Sequence, residues 1–383
     1  MMGTASDRRA MTRALELAAL GCRSTQPNPR VGCVIVQGDR IVGEGWHQRA
    51  GGPHAEVFAL RAAGEAARGA TAFVTLEPCN HHGRTPPCTD ALIAAGVQRV
   101  VYASGDPNPE VDGSGAARLR AAGIEVLTGL MAAEGEELNL GFFSRMRRGR
   151  PWLRLKLAAS LDGRTALESG ESRWITGEAA RADVHAWRAE SAAILSTAAT
   201  VLADDPELTA RPSKGSSRIP GSEVIGSVVG AAELAPRPPL RVLLDARLRI
   251  PASARVFAAE GEVVRLAAEG ARGDSATPAP GRVVPLGIDA AGRLSLPDAL
   301  AWMGREGLNE AWVEAGPTLA GALLEAALVD ELVVYLAPRL LGPDARPLAR
   351  LPPLARLGDA AAWQVQDLRQ IGPDVRIMLR PGG

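Results

Sequence analysis

The sequence predicts an α/β protein built from two consecutive domains, 1–148 and 152–383. Three observations predict this. Short apolar runs of strand length alternate with helical stretches along both halves. A basic stretch ending in proline, Leu140 to Pro151, interrupts the alternation between two complete sets. The 383 residues suffice for two domains of ordinary size.

In the first half, Asp7 to Leu20 reads as a helix, because Met11, Ala14, Leu15, Ala18 and Ala19 form one apolar stripe. Val31 to Val36 is a buried strand, and Arg40 to Gly43 begins its partner after a Gly38-Asp39 turn. His54 to Ala67 is a second helix, with His54 and Glu56 in its first turn, where the helix dipole is positive. Ala72 to Leu76 is a strand ending at Glu77. Cys79 follows on the loop, and Cys88 to Ala95 is the next helix. Val97 to Ala103 and Ile124 to Thr128 are strands with Val111 to Ala122 between them. The alternation predicts three layers, α/β/α. Leu140 to Pro151 then reads as a solvated linker and marks the domain boundary.

In the second half, Trp152 to Ala159 is a strand with Lys156 inside its apolar run, and a buried lysine needs a partner or a function. Ser160 to Thr165 is a turn and Ser169 to Thr176 a polar loop with one aromatic residue. Glu178 to Ala189 is a helix and Ala193 to Ser196 a strand. Thr197 to Pro206 reads as a loop bearing two carboxylates, Asp204 and Asp205. Pro212 to Pro239, rich in Ser, Gly and Pro, reads as an exposed loop around a weak apolar piece, Val224 to Val229. Arg241 to Asp245 and Ala311 to Glu314 are buried strands. The second runs through Gly316 into a helix, Thr318 to Ala327, a junction that aims free N–H groups at a phosphate. Its Gly-x-x-x-x-Gly spacing is not the dinucleotide fingerprint, so alone it is a weak sign. Glu331 to Ala337 and Val375 to Leu379 are closing strands.

Composition narrows the function classes. Lys plus Arg and Asp plus Glu both number 43, and no basic block stands out, which argues against a polynucleotide partner. A small phosphorylated substrate needs only a few arginines. Hydrophobic residues at 46% and charged residues at 22% describe a soluble globular chain. The first thirteen residues are polar and no segment is apolar for the length of a bilayer, so a cytoplasmic protein without a membrane partner is expected. Four cysteines in so long a chain do not suggest disulfides; Cys22 and Cys33 read as buried small apolar residues.

The chemistry concentrates in Pro53-His54-Ala55-Glu56, answered by Glu77-Pro78-Cys79 and Pro86-Pro87-Cys88. One imidazole and two thiolates can hold Zn²⁺ in three tetrahedral positions and leave the fourth for water, which the metal acidifies. Glu56 is then free to shuttle protons. His-x-Glu followed by Pro-Cys is the pattern of zinc-dependent nucleobase deaminases. A structural zinc knuckle would supply a fourth protein ligand and would have no use for Glu56.

Those deaminases carry Pro-Cys-x-x-Cys, whereas here eight residues, Asn80 to Pro87, separate the cysteines. This insert, with Asn28-Pro29-Arg30-Val31-Gly32-Cys33 and Gly43-Glu44-Gly45-Trp46-His47, resembles the deaminase half of the bifunctional riboflavin-biosynthesis deaminase/reductases. Leu155 to Gly163, Ser169 to Thr176, Thr200 to Leu208 and Val313 to Gly321 resemble the reductase half. The resemblance covers nearly the whole chain, apart from Pro212 to Pro239 and Glu260 to Gly292. It implies a cytidine-deaminase-like domain followed by a dihydrofolate-reductase-like domain, with Zn²⁺ and NADPH as cofactors. It implies deamination of a phosphorylated diaminopyrimidine ribonucleotide, then reduction of its ribosyl chain, by a homo-oligomer.

Site residues follow by position. Asn28, His47, His81 and Arg84 would line the deaminase pocket. Ser172, Arg188, Leu208, Arg211 and Glu314 would meet the reductase substrate, with Lys156 and Asp204 at the reacting centre. The cofactor would lie along Ala158, Trp174, Thr200, Asp204 and the run Gly316, Pro317, Thr318, Leu319, Ala320, Gly321, Ala322, with Arg247 a candidate for its 2′-phosphate. Two other classes fit parts of the chain. A nucleic-acid base deaminase with an accessory domain would need a basic surface and the shorter cysteine spacing. A zinc-stabilised binding protein would leave Glu56 without a task.

Overall fold

The computed structural model describes residues 3–81, 86–109, 113–211, 237–273 and 279–382. Arg84, the start of the expected helix at Val111, and all of 212–236, including Val224 to Val229, lie outside the described residues. The chain divides into two compact units at Arg148/Gly149, and of the later residues Arg237 groups with the first.

In the first unit, α1 (Ala5–Ala19) precedes the hairpin β1 (Gly32–Gln37) and β2 (Arg40–Trp46). Then come α2 (Ala55–Ala63), β3 (Thr71–Leu76), α3 (Cys88–Ala95), β4 (Arg99–Ser104), α4 (Ser114–Ala121), β5 (Glu125–Thr128), α5 (Ala132–Leu138) and α6 (Leu140–Arg148). The sheet order is β2-β1-β3-β4-β5; β1 is antiparallel to β2 and β3, and the β3, β4, β5 pairs are parallel. Strand side chains alternate between faces. Cys33, Ile35, Val74 and Val100 therefore pack with Ala59, Leu92 and Leu119 of α2, α3 and α4. Val34, Phe73 and Val101 pack on the other face against Met11 and Ala14 of α1. This is the expected α/β/α sandwich. Side chains at Gly43 and Gly45 would meet the Ala59 and Ala55 carbonyl oxygens at 2.2 and 2.4 Å, so glycine lets β2 lie close against α2.

Leu140 to Arg148 is not a linker. Phe142, Phe143 and Met146 have helical spacing and pack with Leu76, while Arg147 pairs with Glu136 and lies 4.6 Å over the Phe143 ring. Counting charge alone hid that amphipathic pattern.

The second unit opens with β6 (Trp152–Ser160), β7 (Arg164–Ala166), α7 (Glu178–Glu190), β8 (Ala193–Thr197) and α8 (Ala198–Asp204). It continues with β9 (Leu240–Leu244), α9 (Arg255–Ala258), β10 (Val263–Ala268), β11 (Arg282–Leu286), α10 (Leu296–Arg305), β12 (Glu310–Glu314) and α11 (Pro317–Glu325). It closes with β13 (Glu331–Ala337), β14 (Arg346–Pro347), β15 (Trp363–Ile371) and β16 (Asp374–Pro381). Nine strands form one sheet in the order β11-β10-β9-β8-β12-β6-β13-β16-β15, parallel as far as β13 and antiparallel beyond it. Leu153, Leu155, Leu195 and Val242 face Leu300 and Met303 of α10 and Leu323 of α11. Trp312, Val333 and Tyr335 face Val184 and Trp187 of α7.

Thr197 to Pro206, expected to be a loop, is mostly the helix α8. Its N-cap, Thr197 Oγ1, accepts from Thr200 N at 3.1 Å, and Ala198 and Val201 are buried with Ile194 and Leu243.

Candidate active sites

In the first unit, β3 runs into Glu77, whose carboxylate accepts hydrogen bonds from Gly113 N (3.2 Å) and Ala116 N (3.0 Å) at the start of α4. That anchor holds Cys79 near the end of the sheet. Cys88 opens α3, and its N–H donates to Cys79 Sγ at 3.4 Å. His54 is the N-cap of α2 and presents Nδ1 at 3.1 Å from Cys88 Sγ and 3.5 Å from Cys79 Sγ. All three ligand atoms lie within 4.8 Å of one another. Ligands around tetrahedral zinc at its usual bond lengths sit roughly 3.3–3.8 Å apart, so the three fit one ion with a fourth position open. The hydrogen bond from Cys88 foremost, then that with His54, pulls the Cys79 thiol down to about 4, while Cys88 keeps the proton and is pushed up.

Glu56, in the first turn of α2, is buried, and its Oε2 has no hydrogen-bond partner among the described residues. Burial raises its carboxyl, with the His54 charge opposing. An orphaned buried carboxylate oxygen beside an open coordination position fits a group that handles a proton during a reaction. His47 stands edge-on to His54 with ring centroids 5.4 Å apart. Its Nδ1 is 3.0 Å from the Pro53 carbonyl and its Nε2 3.1 Å from Asn28 Nδ2. If Nδ1–H donates to that carbonyl, Nε2 accepts from the Asn28 amide. His81 Nδ1 is buried without a partner among the described residues.

Sequence reasoning missed Asp106. It follows β4, on the side of the sheet where β3 delivers Cys79, and accepts from Asn108 N at 2.9 Å. Burial foremost, then the nearby Glu77 and Cys79 charges, raises it to about 6. The available signal was a polar Asp-Pro-Asn turn after a parallel strand, where α/β sheets bind ligands.

In the second unit, a cavity of about 1730 Å³ opens along the C-terminal ends of β6, β8, β9 and β12. Lys156, Ser172, Arg188, Leu208, Arg211 and Glu314 line it, as do Ala158, Trp174, Thr200 and Asp204. Gly316, Pro317, Thr318, Leu319 and Ala322 form another part of its wall. Ala320 and Gly321 do not. Ala320 is fully buried, and a Cβ on Gly321 would meet the Arg350 carbonyl at 1.9 Å, because these two occupy the packing face of α11.

Glu314 is the most constrained group in the cavity. Arg188 grips it through Nε at 2.5 Å and Nη2 at 2.8 Å, and Trp312 Nε1 donates to it at 2.8 Å. Burial alone would raise its carboxyl, but the Arg188 charge and hydrogen bonds, aided by Lys156 and Trp312, hold it at about 2. The third Arg188 donor, Nη1, goes to the Thr209 carbonyl at 2.9 Å. Arg188, expected to meet the reductase substrate, thus directs its donors to Glu314 and the Thr209 backbone. Lys156 lies near this pair yet makes no hydrogen bond among the described residues, and burial lowers its ammonium. Asp204 ends α8 half-buried, with its main-chain carbonyl accepting from Arg173. Asp205 has φ +42° and accepts from Arg255 N at 2.8 Å, so it serves the turn.

Comparison with known proteins assigns both halves. The family model of the RibD C-terminal domain matches 151–377, and that of the cytidine and deoxycytidylate deaminase zinc-binding region matches 4–104. The riboflavin biosynthesis protein RibD of Escherichia coli (strain K12) is 53% identical over 370 residues, covering 96% of this chain and 98% of its own. The chain belongs to the RibD family. RibD of Haemophilus influenzae is 47% identical, over 97% of both chains. Among solved structures, Acinetobacter baumannii RibD, form 1, aligns with TM-score 0.85 and 42% identity over 99% of both chains. A Thermotoga maritima diaminohydroxyphosphoribosylaminopyrimidine deaminase/5-amino-6-(5-phosphoribosylamino)uracil reductase aligns with TM-score 0.82 and 31% identity, over 98% of this chain and 99% of its own.

As a RibD protein, the chain is a bifunctional deaminase and reductase of riboflavin biosynthesis that uses zinc and NADPH. Its halves are cytidine-deaminase-like and dihydrofolate-reductase-like. Among the described residues no helix is long and apolar enough to cross a membrane. The residues suit a dinucleotide as well as they suit zinc. Among the described residues no side chain caps the N-terminus of α11, and a Cβ on its N-cap, Gly316, would meet nothing within 4 Å, so the helix start stands open to the cavity.

Proposed function

We propose that the first unit deaminates 2,5-diamino-6-ribosylamino-4(3H)-pyrimidinone 5′-phosphate and that the second reduces the resulting 5-amino-6-(5-phosphoribosylamino)uracil to its ribitylamino product. The observation that carries the first step is the partnerless Glu56 oxygen beside the His54, Cys79, Cys88 cluster. Zinc held by these three residues supplies Lewis acidity to a water. Glu56 takes the proton that water loses on attacking the amino-bearing ring carbon, and returns it to the departing nitrogen, which leaves as ammonia. Asn28 and His47, bonded to each other, orient the pyrimidine edge, while His81 and Arg84 meet the ribose phosphate. Asp106, held near neutrality, offers the base a donor or an acceptor.

In the second unit NADPH supplies the hydride. Lys156, which makes no hydrogen bond among the described residues, holds or gives the proton at the sugar-chain oxygen. Glu314, kept ionised, accepts N–H groups of the base and cannot act as the acid. Asp204 orders the reacting centre from the cavity wall, and Ser172 and Arg211 face the substrate phosphate.

The enzyme works as a cytoplasmic homo-oligomer. The exposed Leu340, Leu351, Leu354, Leu357 and Leu368 support self-association, and Cys22 and Cys33, neither of them in a disulfide, suit a reducing compartment. The test is incubation with the diaminopyrimidine nucleotide, with and without NADPH. Ammonia release without NADPH and a two-hydrogen mass gain with it are expected; ammonia release from oligonucleotides instead would refute the reading.

A further inference from the structure

One turn of α7 reaches two parts of the second unit's cavity wall. His185 and Arg188 stand at i and i+3 on that helix, so their side chains leave the same face, and both line the cavity. Arg188 divides its donors: Nε and Nη2 go to Glu314, and Nη1 goes to the Thr209 carbonyl at 2.9 Å. His185 addresses the same segment as that last donor. Its Nδ1 lies 3.1 Å from the Thr209 carbonyl oxygen and 3.2 Å from the Arg211 main-chain nitrogen. The segment is anchored independently just before these residues. Leu208 is 3% exposed, packs with Ile194, Val201 and Leu243, and has φ +52°. Arg241 Nη1 donates to the Glu207 carbonyl at 3.4 Å.

One ring nitrogen cannot donate to Thr209 and accept from Arg211 in the same state. The Thr209 carbonyl already has the Arg188 donor, whereas the Arg211 N–H has no other acceptor among the described residues. A bare Nδ1 therefore satisfies both groups, and an Nδ1–H leaves the Arg211 N–H unmet. The charges facing the ring are Arg188, Arg211 and Glu314. Burial foremost, then the two arginines, lowers the imidazole against the pull of the Thr209 carbonyl and Glu314, so near neutral pH the ring is uncharged and Nδ1 is open to accept. The Arg211 side chain is 65% exposed and pairs with Glu207 at 3.4 Å. Its place on the cavity wall is thus set mainly by its main chain, and the main chain is held by His185.

We propose that His185 is a positioning residue for substrate recognition by the reductase: by accepting the Arg211 N–H at Nδ1, it fixes where the Arg211 guanidinium stands toward the substrate phosphate. This rests on the reading of Arg211 as a residue that faces that phosphate. His185 takes no part in hydride or proton transfer. Its loss therefore acts on substrate affinity, and only on the share that the phosphate contributes.

The test is steady-state kinetics of the full-length protein at saturating NADPH, with the deaminated ribonucleotide and its dephosphorylated nucleoside as paired substrates. His185→Phe keeps a ring and removes the acceptor. It should raise KM for the nucleotide roughly 2–10-fold, the worth of one hydrogen bond, with kcat within about twofold of the parent and KM for the nucleoside unchanged. His185→Asn returns an acceptor oxygen near the Nδ1 position and should restore the nucleotide KM. A role in packing alone would show the reverse order, with Phe tolerated and Asn not. His185→Ala serves the same comparison if the phenyl ring disturbs α7. A nucleotide KM that stays parental without the acceptor, or that Asn leaves as high as Ala does, would overturn the inference. Arg211→Ala separates it from the reading it rests on. If that variant keeps the parental ratio of nucleotide to nucleoside KM, Arg211 does not face the phosphate and both fall. If it shifts the ratio while the acceptor-free His185 variants do not, the role of His185 alone is overturned.

Discussion

Glu56 and Glu314 are both buried carboxylates, and their neighbours push them in opposite directions. Around Glu56 one oxygen has no partner among the described residues, and burial outweighs the opposing His54 charge and favours the protonated form. Around Glu314, two guanidinium donors and an indole N–H outweigh burial. The consequences differ. Glu56→Gln should retain zinc and fold but slow ammonia release roughly 10²–10⁴-fold, checked by metal analysis beside the rate. Zinc loss in that variant would make Glu56 a ligand instead. For Glu314 the readout is stability against pH. Its folded value, about 2, lies below the unbound carboxyl value of 4.5. The stability it contributes, about 3 kcal/mol, is therefore complete above pH 4.5 and lost as pH falls through 2. The difference in unfolding free energy between parent and Glu314→Gln should be largest near pH 7 and shrink below 4.5. A gap that stays constant from pH 7 to 3 would show that the Arg188 grip does not hold in solution.

At the scale of elements, the metal site depends on a helix that supplies none of its ligands. Glu77 accepts the N–H groups of Gly113 and Ala116, so the first turn of α4 and the loop to Cys79 share one anchor. Glu77→Ala leaves the buried Ala116 N–H unmet, a cost of about 1–3 kcal/mol. It should lower the melting temperature and speed zinc loss to a chelator; zinc retention at the parental rate would detach the anchor from the site. The first half was legible in the sequence because its chemistry sits in short contiguous motifs at element ends: His54 to Glu56 opens a helix, Pro78-Cys79 closes a strand, Cys88 opens the next helix. The second half was less so. Its cavity draws single residues from many separated elements, and the commitment of Arg188 to Glu314 joins positions 126 residues apart. Local patterns also failed for physical reasons. β15 lies at the sheet edge with most of its residues exposed, so it shows no apolar alternation. β10 is interrupted by Arg265, buried and bonded to the Ala279 carbonyl at 2.6 Å. α8 is seven residues long and reveals itself mainly through its Thr197 cap.

At the scale of the whole molecule, each unit has its own layered core and its own site. The zinc ligands stand at the margin of the first unit's core: Ile35, Ala59, Val74, Leu92 and Leu119 pack without His54, Cys79 or Cys88. Removing the metal should therefore cost chemistry before it costs fold. It leaves both sulfur atoms within hydrogen-bond reach of His54 Nδ1 and the Cys88 N–H donating to Cys79 Sγ, an arrangement that α2 and α3 support through their own backbones. The second cavity contains no cysteine and takes no ligand from this cluster. Chelation of the full-length protein should abolish ammonia release from the diaminopyrimidine nucleotide and leave NADPH oxidation by the deaminated substrate at its parental rate. Added zinc should restore the first activity without changing the second. The complement is Asp204→Asn, which should stop NADPH oxidation while zinc content and ammonia release stay parental. If NADPH oxidation fell in step with zinc content, the two sites would not be independent, and the separation of chemistry between the units would fail.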